Sequence, residues 1–159
     1  MMHTSNNSHN GYTIVELIII MTVLGMLFAV LFLFIPDSQL RARDKERETD
    51  VSAMRGRLEE VYQDVGAYPS QITSSTFTRL DPETLNDPNG VIIANNTPVS
   101  DEATARLTTN PSKTGPQYTY TAYPTSCVNN CVGYILKGFI EQPSQKTPNP
   151  YVVSGLNNN

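Results

Sequence analysis

Glu16 is the first charged residue of the chain, and it stands at the entrance of an uncharged apolar run from Leu17 to Ile35. The run has 19 residues, roughly 29 Å of helix, close to the ~30 Å of bilayer hydrocarbon. An unpaired carboxylate in such a helix costs roughly 2.5–3.5 kcal/mol on insertion scales, so its presence implies a partner or a purpose. Glu16 therefore points to ion pairing. Histidine chemistry has little room here. Both histidines, His3 and His9, precede Gly11, and the chain beyond Gly11 holds no histidine and no tryptophan. If the leader is removed, this excludes His acid/base catalysis and His metal ligation. Cys127 and Cys131 suit one disulfide in an oxidising compartment. Their spacing is not Cys-x-x-Cys, which disfavours a thiol-redox site. Asp81, Asp87 and Asp101 lack the spacing of a calcium loop. No enzyme, metal or cofactor is expected.

Five segments must position these residues. Residues 1–11 form a polar leader of Asn, Ser and His. It lacks the basic start of a secretory signal, and its small residue precedes the apolar core instead of following it. A cut after Gly11 would leave the helix attached. Residues 12–36 are expected to cross a membrane. Pro36 has no N–H to give to Phe32, so the helix should loosen or kink there, with Gly25 a second weak point. Gly25 and Ala29 also make a small-xxx-small pair that allows close helix approach.

Residues 37–66 should continue as an amphipathic helix. Val51, Met54, Leu58, Val61 and Val65 recur at spacings of three and four and form one apolar stripe. Gly66 and Pro69 should end the helix. The block Arg41–Asp50 carries four bases and four acids. Arg41 with Asp44, Arg43 with Glu46, Lys45 with Glu48 and Arg47 with Asp50 are spaced to face each other. The block reads either as a solvated neck or as charges that pair between neighbouring subunits. The net charge of -4 gives no basic face for nucleic acid.

Residues 67–117 are rich in Pro, Thr, Ser and Asn and should be irregular. A short helix is expected from Asp101 to Leu107, with Ser100 as its N-cap. Asp87-Pro88-Asn89-Gly90 reads as a turn. Asn95-Asn96-Thr97 fits a glycosylation sequon, a short pattern that arises by chance in polar loops. Residues 118–159 read as short strands with an Asn-rich tail. Tyr118–Ala122 alternates as a half-buried strand does, and Val132–Ile140 places Val132, Tyr134, Leu136 and Ile140 on one face. A bridge from Cys127 to Cys131 would lock the turn between these strands.

Gly11-Tyr12-Thr13-Ile14-Val15-Glu16-Leu17 resembles the processing site of type IV pilins and of the related pseudopilins of type II secretion. Leu58–Pro69 is similar to the end of the long helix in many of them. The likeness covers about residues 11–69. It implies cleavage after Gly11 by a prepilin peptidase and methylation of the new N-terminal amine of Tyr12. It also implies that Glu16 neutralises that amine on a neighbouring subunit. The α-amine, with an ordinary pKa of about 7.7–8.0, is a suitable cation. The chain departs from the pattern in three places. The leader has no Lys or Arg, the first mature residue is Tyr where Phe is usual, and Pro36 lies later than the usual proline. In addition, Arg41, Arg43, Lys45 and Arg47 follow the apolar run, and the positive-inside count would place the N-terminus outside.

The fold implied is α+β, a long N-terminal helix packed on a small antiparallel β-sheet head. The function implied is that of a structural subunit of a type IV pilus or pilus-like filament, polymerising through its N-terminal helix. The alternatives are a pseudopilin or minor pilin of a secretion or DNA-uptake system, and a single-pass anchored binding domain that never polymerises. The implied partners are other pilin subunits, the prepilin peptidase, an assembly ATPase with its platform, and membrane lipid before assembly. The implied location is the inner membrane first, then an extracellular pilus or a periplasmic or wall-spanning pseudopilus.

Overall fold

The computed structural model describes residues 11–156 apart from 76 and 80, and of residues 33–37 it describes the backbone alone. Residues 1–10 of the expected leader lie outside the described residues. The chain is α+β and divides between Ser38 and Gln39 into two units. Helix α1 spans Ile14–Val65 and contributes to both. Its backbone is helical through Pro36. The kink expected there rests on residues 33–37, whose side chains lie outside the described ones. In the first unit, Ile14–Phe32 has a mean hydropathy of 2.8 and none of it is buried. It is one helix of a length and composition able to cross a membrane. Gly25 lies within it, and a Cβ placed there would meet nothing within 4 Å.

α1 ends as its sequence dictates. The N–H of Gly66 returns to the carbonyl of Tyr62 at 2.7 Å, and Gly66 has a φ of +78°. That left-handed cap suits glycine because a Cβ would be strained there.

The second unit is a four-stranded sheet between α1 and a layer of loops. The strands are β1 (Ala94–Asn95), β2 (Tyr118–Tyr123), β3 (Gly133–Gly138) and β4 (Tyr151–Ser154), in that order across the sheet. β2, β3 and β4 pair antiparallel, with Tyr120 opposite Leu136 and Leu136 opposite Val153. β1 runs parallel to β2. The sheet is therefore mixed, and it draws one strand from the segment expected to be irregular. Two residues of β1 suffice because Asn96 and Val99 extend its pairing with further backbone bonds to Tyr120 and Ala122.

Period-2 alternation sorts the side chains. Tyr118, Tyr120, Ala122, Tyr134, Leu136 and Val153 pack with Val51, Met54 and Leu58 of α1 in the main core. Tyr123 and Ile135 face the other way, against Ala105 of α2 (Glu102–Leu107), with Val99 and Val152 beside them. All six residues of β2 and all six of β3 are buried. The half-buried strand expected over Tyr118–Ala122 is thus buried on both faces, because the chain around α2 covers the second one. Val132 does not join Tyr134 and Leu136 in the core; it is exposed. The N-cap of α2 is Asp101, not Ser100: its side chain accepts from the N–H of Thr104 at 2.8 Å.

Helix and sheet come close at Gly138, where a Cβ would stand 2.9 Å from Cγ2 of Val51. Valine is stiff at χ1 and cannot swing aside. Gly138→Ala should destabilise the head by about 1–3 kcal/mol in urea unfolding. Val51→Ala in the same chain should cost less than the sum of the two single changes, since it empties the space the new methyl needs.

Candidate functional site

Two places carry the groups that the sequence singles out or passes over. The first is the start of α1. Gly11, Tyr12 and Thr13 are not helical, and all three are exposed. Thr13 caps the helix. Its carbonyl accepts the N–H of Leu17 at 3.1 Å and its Oγ1 accepts the N–H of Glu16 at 3.2 Å. Glu16 therefore falls in the first turn, where a carboxylate is favoured by the positive end of the helix dipole. It is exposed, and the ion pairs among the described residues do not include it.

The second place is the seam where α1 meets the head. Arg47, 1% exposed, lies at its start. Its guanidinium donates from Nε to Oε1 of Gln117 at 2.6 Å, from Nη1 to Oδ1 of Asp44 at 2.7 Å and from Nη2 to Oε1 of Glu141 at 2.9 Å. The ring of Phe139 lies under it, 5.7 Å from centroid to guanidinium carbon. Asp44 turns its two oxygens to the backbone N–H groups of Glu141 and Gln142, each at 2.8 Å. Arg43 donates to Oε1 of Glu141 at 3.0 Å, and Lys113 lies 3.4 Å from its other oxygen. The hydrogen bond from Arg43, with Arg47 and Lys113 adding to it, holds Glu141 down at about 2 against the opposing effect of burial.

Of the pairs expected in this block, Lys45–Glu48 forms at 2.9 Å. Arg47 turns to Asp44 instead of Asp50, and Asp50 accepts from the hydroxyl of Tyr118 at 2.8 Å. The block is therefore neither a purely solvated neck nor free for neighbours: Arg43, Asp44, Arg47 and Asp50 are bonded within the chain. The signal that could have shown this is spacing. Asp44 and Arg47 continue the stripe of Val51, Met54 and Leu58 at three and four residues.

At the far end of the seam Glu59, also buried, gathers three segments. It accepts from the hydroxyls of Tyr68 at 2.9 Å and Tyr134 at 3.0 Å and from the N–H of Leu156 at 3.2 Å. Burial and this carboxylate push the Tyr134 hydroxyl well above the usual phenol range. Cys127 and Cys131 form the expected disulfide, with Cα atoms 5.1 Å apart. The bridge does more than close a turn. Cys131 exchanges backbone bonds with Tyr68, at 2.9 and 3.1 Å, and Val128 accepts from Ser70 at 2.8 Å. The disulfide loop thereby holds the chain just beyond α1.

Lys137 is a third buried charge that the sequence reading passed over. Its ammonium donates to the carbonyls of Arg106 and Thr108, both at 2.8 Å, and to Oδ1 of Asn110 at 2.9 Å. It ties the end of α2 to the sheet, and burial lowers its pKa.

The remaining candidates have local duties. Asp81 and Asp101 cap short helices, and Asp87 accepts from the N–H groups of Asn89 and Val91. Among the described residues no cluster of three metal-ligating side chains occurs. Asn95 is not a free sequon: its amide bonds both backbone groups of Ile72, at 2.7 and 2.9 Å. A cleft of about 410 Å³ lies beside Arg41, Asp44, Lys45, Glu48 and Ser144. It offers mixed charge and hydroxyls, which suits polar contact. Comparison with protein-family models, with curated proteins and with solved structures gave no match.

Two outcomes are expected of the seam. Arg47→Met leaves Asp44 and Glu141 short of a buried partner and should cost about 3 kcal/mol in urea unfolding at neutral pH. The low pKa of Glu141 sets a pH window. A depressed carboxylate contributes stability above its ordinary 4.5 and loses it as pH falls toward about 2. Thermal unfolding between those limits should therefore show a falling midpoint. Glu141→Gln should flatten that fall.

Proposed function

We propose that this chain is a structural subunit of a type IV pilus or a related filament, made as a membrane precursor and cut after Gly11. One observation supports this reading above the others. The 19-residue apolar span Ile14–Phe32 of α1, with none of it buried, begins inside the motif Gly11-Tyr12-Thr13-Ile14-Val15-Glu16. Such a surface needs lipid or the same surface of other copies to cover it. Lipid serves the precursor and helix packing serves the filament. Head-to-tail contacts that do not close give open helical polymers.

Glu16 is the residue on which assembly turns in this reading. In the precursor its carboxylate sits in the first turn of α1, at the edge of the bilayer. In the filament it accepts the methylated Tyr12 amine of a neighbour, a pairing that makes a buried carboxylate tolerable. The folded head supplies a solvated body and no chemistry. Two of the bases that would argue for the opposite topology, Arg43 and Arg47, are bonded within the head.

The test is the N-terminal peptide of protein sheared from cells. A peptide that begins at Tyr12 with one methyl group is expected, and one that begins at Met1 would favour an anchored domain. Glu16→Ala should still insert and be processed, yet yield no surface polymer. Normal polymer from that variant would end the proposed pairing. Abundance in the sheared fraction separates a main subunit from a pseudopilin or a minor one.

A further inference from the structure

The peptide bond between Gly11 and Tyr12 lies outside α1, and a single side chain accounts for that. α1 starts at Ile14 because Thr13 caps it through Oγ1, at 3.2 Å from the N–H of Glu16. Thr13 and Glu16 have the spacing of a capping box. Upstream of the cap, Tyr12 is 79% exposed, and a Cβ at Gly11 would meet nothing within 4 Å. Among the described residues nothing covers either side of the bond.

The helix has other places to start. Asn10 is a strong N-cap type. With Asn10 as cap, Gly11 and Tyr12 would enter the first turn. The Gly11 carbonyl would then accept the N–H of Val15, four residues on. A carbonyl engaged in that way is withheld from a hydrolase, which needs it free for attack and for its own oxyanion donors.

We infer that Thr13 is a positioning residue for cleavage: its cap fixes the start of α1 past the Gly11–Tyr12 bond and keeps the Gly11 carbonyl free. The inference rests on the proposed processing after Gly11. The step itself is a hydrolysis. Water adds across the bond, its oxygen goes to the Gly11 carbonyl carbon to give a carboxylate, and Tyr12 departs with the amine, which takes up a proton. Thr13 touches none of the reacting atoms and acts through the backbone alone.

The experiment follows cleavage of the full precursor by a prepilin peptidase in membranes, as the initial rate of loss of residues 1–11. Thr13→Val keeps the shape and removes the hydroxyl. It should slow cleavage about fivefold, the ratio that loss of a typical cap implies. Thr13→Ser and Thr13→Asn should both restore the rate. Asn is the telling variant, because it caps a helix but lacks the hydroxyl that an enzyme pocket would read. Amide exchange in micelles gives a second readout: the N–H of Val15 should exchange more slowly in Thr13→Val as the helix extends. A wild-type rate in Thr13→Val, a slow rate in Thr13→Asn, or unchanged exchange at Val15 would each overturn the inference while leaving the processing site standing. An uncleaved wild-type precursor would overturn the processing site itself.

Discussion

The head depends on one line of side chains along α1. Asp44, Arg47, Val51, Met54 and Leu58 follow one another at helical spacing, and each meets a different part of the sheet unit. The acid takes two backbone N–H groups just past β3, the base takes Gln117 and Glu141, and the apolar residues take the inner face of the strands. A four-stranded sheet cannot bury two faces by itself. Here α1 covers one and the chain around α2 covers the other. Without α1 the inner face, with its tyrosines and Leu136, would lie open to water.

Charge at the start of that line needs a physical reason, because a buried ion pair is weak evidence for stability. Desolvating Arg47, Asp44 and Glu141 is expensive, and their attraction offsets the cost only if every donor and acceptor is used. Here that condition is nearly met. The guanidinium donates in three directions, Asp44 accepts backbone bonds as well as the ion pair, and Glu141 is shared by three bases. What such a cluster adds is register. Apolar surfaces slide past one another at small cost. A guanidinium that must meet two carboxylates and an amide fits in one place. Glu59 does the same at the other end, where two tyrosines and the C-terminal segment converge on a single carboxylate. The seam is greasy in its middle and pinned at its ends.

This division explains what was legible in the sequence. The apolar span, the stripe from Val51 to Leu58 (Val65 at its end is exposed), the Gly66 stop, the two main strands and the cysteine bridge all announce themselves through composition or period. They are local features, and local rules find them. β1 was invisible because two residues carry no period; it exists only because β2 offers an edge. The burial of both faces of β2 was hidden for a similar reason. Tyr-Thr alternation signals a wet face until some other segment covers it, and which segment does so is a tertiary fact. Arg47, Glu59 and Lys137 were missed because charged residues are ordinarily read as solvated, and only their partners, 94, 75 and 31 residues away, say otherwise. Arg47 alone left a trace, since it falls in phase with the stripe.

The two parts of α1 differ in what covers them. From Asp44 onward the helix has chosen its neighbour: its apolar line is spent on the sheet, and four charges of the neck are bonded inside the chain. Upstream, Ile14–Phe32 has no buried face at all. Apolar surface of that extent in water would drive association without direction. Such a surface calls for cover other than water. The same asymmetry reaches the first turn. Thr13 and the helix dipole give Glu16 a tolerable setting in the first turn, where its carboxylate is exposed. A position deeper in an assembly removes that exposure. The carboxylate then requires a cation, and the described part of the chain spends its nearby bases elsewhere or holds them beyond the apolar span. In the proposed filament that cation is the Tyr12 amine of a neighbouring copy, which would make Glu16 the residue that commits the chain to a partner.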